Sequence, residues 1–121
     1  MLSTRALAMI VIYKICTNAQ WRAAERARVF HGSDADLRDG FIHFSTRAQL
    51  PETAARHFAG QNDLVLVTVD SAKLGSRLKW EPSRGGVLFP HFYGDLDLTV
   101  IQKVEPLLLG PHGQHVFPFS D

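Results

Sequence analysis

The sequence predicts an α+β domain with a mixed or antiparallel sheet and two helices. Three observations carry this. Residues 64–69 form a nearly continuous apolar, β-branched run of strand length. Helical spacing is confined to two stretches in the first half, 18–28 and 46–60. The second half breaks into short strand-like runs punctuated by glycine and proline. Helices early and most strands late do not fit alternating βαβ units. With 121 residues, 45% hydrophobic and 21% charged, the chain has the size and composition of one domain that buries a core without disulfide staples.

Residues 1–9 read as a loose N-terminal extension, leaving the domain at 10–121. The apolar run 6–12 is too short to span a bilayer and is followed by no small-residue cleavage site. It flows instead into a first strand over 10–16, which alternates. Thr17 can cap a helix over 18–28, with Trp21 and Ala24 on one face. Residues 30–39, with Gly32, Ser33 and three aspartates, read as a loop. A short strand over 40–45 follows. Thr46 with Gln49 fits a capping box, Pro51 suits the first turn of a second helix, and Gly60 suits its end. Residues 64–69 are the central strand and 70–75 a turn or single helical turn. Short strands over 78–81 and 87–89 flank an Arg84-Gly85-Gly86 turn. The last strand spans 98–104 and is ended by Pro106. The tail from Gly110 packs as irregular chain.

Bulk properties exclude several function classes. Lys and Arg number 13 against 12 Asp and Glu, so the basic excess of a general nucleic-acid binder is lacking. A single cysteine, Cys16, rules out an internal disulfide and points to a reducing cytoplasm. No membrane association is expected. Six histidines occur, but with no HExxH and no Cys/His cluster no metal site is assigned. Neither a phosphate loop nor a dinucleotide fingerprint is present.

The chemistry concentrates in 80–94, which holds Trp80, Glu81, Arg84, Gly85, Gly86, His91 and Tyr93. Glu81 beside an indole is expected to be partly desolvated, which would raise its pKa and suit acid/base work. The alternative is an ion pair from Glu81 to Arg84 or Lys79. Arg84 with Gly85 and Gly86 suits an anion clamp, or a plain hairpin turn. His91 and Tyr93 share a face if the segment is extended, either to hold a heterocycle or as a packed core edge. In 40–46, alternation puts Phe41, His43 and Ser45 on one face and Ile42 and Phe44 on the other. His43 is then a site residue or a buried histidine bonded to backbone. Ser45 and Thr46 are caps and candidate anion ligands at a positive helix end.

These motifs, Gly40-Phe41-Ile42-His43-Phe44-Ser45-Thr46, Trp80 to Gly86 and Phe89 to Gly94, with Ile12 to Ile15 and Trp21, resemble a small bacterial family of unknown function, DUF952. The resemblance covers about 10–104 and implies a fold related to ADP-ribosyltransferases. Ile42 to Ser45, a helix and then 64–69 are similar to the strand–helix–strand block of the poly-ADP-ribose polymerase type. His43 would stand at the tyrosine that stacks on nicotinamide. The first-strand histidine of that group falls near Tyr13 or Lys14, where none exists, and 91–98 offers Asp95 and Asp97 but no glutamate.

The expected function is therefore a cleft built by 40–46 and 80–94 that binds or acts on NAD or a related nucleotide or ADP-ribose ligand. If it is an enzyme, it is a transferase or glycohydrolase acting on an N-glycosidic bond. Glu81, His43 and His91 are the expected catalytic residues. Arg84, Gly85, Gly86, Trp80, Tyr93, Ser45, Thr46 and Tyr13 are the expected ligand contacts. A catalytically inactive binding module and a protein-interaction domain, with 89–93 as contact strip, are the alternatives.

Overall fold

A computed structural model of the protein describes residues 10–119; the expected extension 1–9 lies outside them. The apolar run forms strand β4, Leu64–Asp70, with every residue from Leu64 to Val69 buried. It lies between β1, Val11–Thr17, and β8, Ile101–Leu109, antiparallel to both. Its alternation serves two cores. Val65, Val67 and Val69 pack with Ile12 and Cys16 against Trp21 and Ala24 of helix α1, Asn18–Ala27. Leu64 and Leu66 pack with Tyr13, Ile15 and Leu107 against Leu50 and Ala54 of helix α3, Leu50–His57. A strand covered on both faces has no polar side to show, which is why 64–69 reads as almost continuously apolar, broken only by Thr68.

The other strands are short. In chain order they are β2, Val29–Phe30; β3, Ile42–His43; β5, Leu78–Pro82; β6, Leu88–Phe92; β7, Leu96–Asp97; and β9, His115–Val116. Strands β3, β6 and β5 form a second antiparallel sheet, and β2 pairs with β7. The second sheet is tied to the first by one bridge. Tyr13 N donates to Ser45 O and Ser45 N to Tyr13 O, each at 2.8 Å. That bridge sets the end of β3 beside β1 and positions the candidate site.

The α+β class holds, with corrections. The expected loop 30–39 contains helix α2, Asp34–Asp39, so the described residues hold three helices rather than two. Ser33 and Asp36 close a capping box and Gly40 ends the helix at φ 89°. The helix expected to run to Gly60 stops at His57, because Phe58 leaves helical geometry at φ −131°. The last strand begins at Ile101, after a 3-10 turn over Leu98–Val100, and continues through Pro106. β9 pairs only with Leu108 and Leu109, so Pro106 lies on an open sheet edge, where a missing N–H is tolerated. β9 also gives the tail more order than expected.

Candidate functional site

The site begins with Asp36, the buried carboxylate of α2. Its Oδ1 accepts from Lys14 Nζ at 2.9 Å, His43 Nδ1 at 2.6 Å and the His43 backbone N at 3.1 Å. Its Oδ2 accepts from the Ser33 backbone N at 2.8 Å. One residue thus locks β1, α2 and β3 together. Burial alone would raise the Asp36 carboxyl. The hydrogen bond from His43, the Lys14 charge and the Ser33 amide together reverse that and hold it well below the usual carboxylate range. A carboxylate this buried is tolerable only because each oxygen is occupied. His43 Nε2 meets a second carboxylate, Asp39 Oδ2, at 3.0 Å. His43 is therefore bonded through its ring to two aspartates as well as through its amide.

β6 places His91 beside this hub. His43 and His91 are register partners, with ring centroids 5.7 Å apart. Phe41 stacks on His91 at 4.0 Å and lies 4.6 Å from His43 and 5.4 Å from Tyr93. Behind His91, Glu81 Oε1 accepts from His91 Nδ1 and from the Tyr93 hydroxyl, both at 2.8 Å. These bonds, His91 first, lower the Glu81 pKa, and the bond to Glu81 raises that of Tyr93. The expected upward shift of Glu81 is thus corrected. Consecutive strand residues point to opposite faces, so the Trp80 indole does not desolvate its neighbour. Nor does Glu81 reach Arg84 or Lys79 with its hydrogen bonds.

Arg84 follows β5, in a 3-10 turn over Arg84–Gly86 that joins β5 to β6. Its Nη2 donates to Thr53 Oγ1 of α3 at 3.1 Å, and Thr53 Oγ1 lies 3.1 Å from Ser45 Oγ. The guanidinium sits over Phe89, 4.8 Å from the ring centroid. Its Nη1 is sealed from solvent without a hydrogen bond, 3.7 Å from Glu52 Oε1. This charged nitrogen thus has an ion-pair contact but no hydrogen-bond acceptor. His57, on the exposed side of α3, titrates below its ordinary 6.5, through partial desolvation and then the nearby positive charge of Arg84, Arg56 and Lys14.

These groups border one cleft of about 650 Å³, the size range of small-molecule sites. Of the residues expected from sequence, Tyr13, His43, Ser45, Arg84 and His91 line it. Glu81 stands behind His91, and Tyr93 behind Glu81. Trp80, 41% exposed, lies outside it. Gly85 and Gly86 shape the hairpin turn, with φ of 65° and 80°. Thr46 caps the 3-10 turn over Arg47–Gln49. The cleft draws less on 80–94 than expected and more on α2 and α3, which contribute Asp36, Asp39, Thr53 and Arg56. Sequence reasoning missed Asp36 and Lys14. The Ser33-x-x-Asp36 capping box was the available signal for Asp36.

Burial bears on further residues. In the strip 89–93 only Tyr93 is exposed, so it is not an open contact patch. Burial pushes the Cys16 thiol up to about 12, which leaves no thiolate for nucleophilic work. Among the described residues no helix is long and apolar enough to cross a membrane, and no group of three or more His, Cys, Asp or Glu could hold a metal ion.

Comparison with known proteins finds relatives of the chain. The model of a family described as a protein of unknown function, DUF952, matches residues 15–104. The crystal structure of protein CC0527 from Caulobacter crescentus is similar, with a TM-score of 0.84 and 46% identity over 88% of this chain and 93% of that one. The solution NMR structure of CC0527 gives a TM-score of 0.78 and 47% identity over 86% and 90%. No curated protein matches the chain.

Proposed function

Since the chain belongs to the DUF952 family of proteins of unknown function, we propose from the geometry of the site that its cleft binds NAD or a related nucleotide such as ADP-ribose. The observation that carries the reading is Arg84. Its guanidinium lines a cleft that also carries Lys14 and Arg56, with Nη2 held by Thr53. A cationic cluster of this kind suits the oxygens of a phosphate group. At the other end, the rings of His43 and His91, backed by Phe41, provide a surface for ribose and nicotinamide.

The reading includes an ADP-ribosyltransferase-like fold, supported by the succession of β3, α3 and β4. It also includes cleavage at the N-glycosidic bond, where charge develops on the ribose as in glycoside hydrolysis. Glu81 reaches the cleft only through His91. The test is ligand binding to wild-type protein and Arg84→Leu by calorimetry. Arg84→Leu is expected to weaken ADP-ribose about 10- to 100-fold, the value of one or two charge-assisted hydrogen bonds. Equal affinity in the two proteins would contradict the assignment.

A second reading, a binding module without turnover, is favoured by His43. Both of its ring nitrogens are occupied by carboxylates, so neither is free to move a proton for a ligand. Nicotinamide release from NAD separates the two. Release that is absent from a His91→Ala variant supports the enzyme, and binding without release supports the module.

A further inference from the structure

Glu81, Tyr93 and His91 form a unit with more order than ligand contact requires. We propose that His91 presents Nε2 of its ring to the cleft as a proton acceptor for a water or ligand hydroxyl, with Glu81 as the residue that positions it. A carboxylate only accepts, so the 2.8 Å contact makes His91 Nδ1 a donor to Glu81 Oε1. A neutral imidazole carries one N–H, which leaves Nε2 with its lone pair. Nε2 has no partner among the described residues. Nor is it sealed, because the sealed unpartnered side-chain atoms there are Trp21 Nε1 and Arg84 Nη1. His91 is 5% exposed yet lines the cleft, so the solvent it sees is cleft solvent.

The ring is also held in place. Phe41 stacks on it with planes 23° apart, and Tyr93 OH fixes the same Glu81 oxygen that fixes Nδ1. The carboxylate would then stabilise the imidazolium formed when Nε2 takes a proton, the division of labour known from acid–histidine pairs. Only the identity of the ligand rests on the nucleotide reading. With NAD, a water oxygen bonds to the ribose carbon and gives its proton to Nε2. The C–N bond breaks, and its electron pair goes to the nicotinamide nitrogen, which loses its positive charge. The products are ADP-ribose, nicotinamide and one proton on His91, with nothing oxidised or reduced.

Two measurements on the intact chain test this. Long-range proton–nitrogen NMR should show the neutral His91 ring protonated at Nδ1 and bare at Nε2. Glu81→Gln, which still offers an acceptor oxygen, should keep that tautomer, and Glu81→Leu should lose it. Diethyl pyrocarbonate, read by peptide mass spectrometry, should modify His91 in wild-type protein, several-fold more slowly with saturating ADP-ribose. A wild-type ring protonated at Nε2, or a His91 that is never modified, overturns the proposal whether or not the variants fold. The expected tautomer and modification without ADP-ribose protection uphold the proposal and overturn the nucleotide reading instead.

Discussion

Asp36 is the residue on which the site turns. It gathers a lysine from β1 and both the ring and the amide of His43. Removing one partner of a buried ion pair is costly because the other charge stays buried alone. Asp36→Ala is therefore expected to destabilise the fold by about 3–5 kcal/mol, read from denaturant midpoints. Asp39→Ala, at the exposed nitrogen of the same imidazole, should leave the midpoint nearly unchanged. Residue chemistry was only partly legible in the sequence. Strand parity correctly paired His91 with Tyr93 and separated His43 from Ile42. It did not show that Glu81 turns to His91, because that contact depends on the β5–β6 register, which sets Glu81 opposite Phe89 and two residues along β5 from His91's partner Lys79.

At the scale of elements, α2 is a six-residue helix that exists through its ends. Isolated helices of this length do not form from propensity. The Ser33 box and the Gly40 cap satisfy its terminal groups, and Asp36 joins the cap to the site. Ser33→Ala should cost about 1 kcal/mol in stability, and it should shift the His43 ring resonances as Asp36 loosens. An unchanged His43 spectrum would show that the cap and the site are independent. The sequence hid α2 because three aspartates and a glycine in ten residues carry the composition of a loop. It hid the length of β8 because Pro106 normally ends a strand, and only its place on an open edge lets the ladder pass. The long, strongly patterned elements were legible, β1 and α1 because one periodicity dominated each and β4 because its apolar run was almost unbroken.

For the whole molecule, the cleft runs along the seam where the two sheets meet at the Tyr13–Ser45 bridge, with α2 and α3 contributing to its lining. Folding and site formation are therefore one event, and stability should track the Asp36 hub. Its folded-state pKa is lowered, so it stabilises the fold above its ordinary value of 3.8, and that contribution is lost as pH falls through the folded-state value. Stability of the wild type should decline as pH drops below 3.8. The decline should be shallower in Asp36→Asn, with thermal melts across that range as the measurement.

Whether this seam takes a nucleotide is decided by an amide-shift titration with ADP-ribose and NAD. Trp80 lies outside the cleft, so backbone resonances report better than its fluorescence. Saturable shifts are expected at Ser45, Thr53, Arg84 and His91, converging on both ends of the cleft and weakening in Arg84→Leu. Absence of shifts at those residues with either ligand at millimolar concentration would contradict the nucleotide assignment.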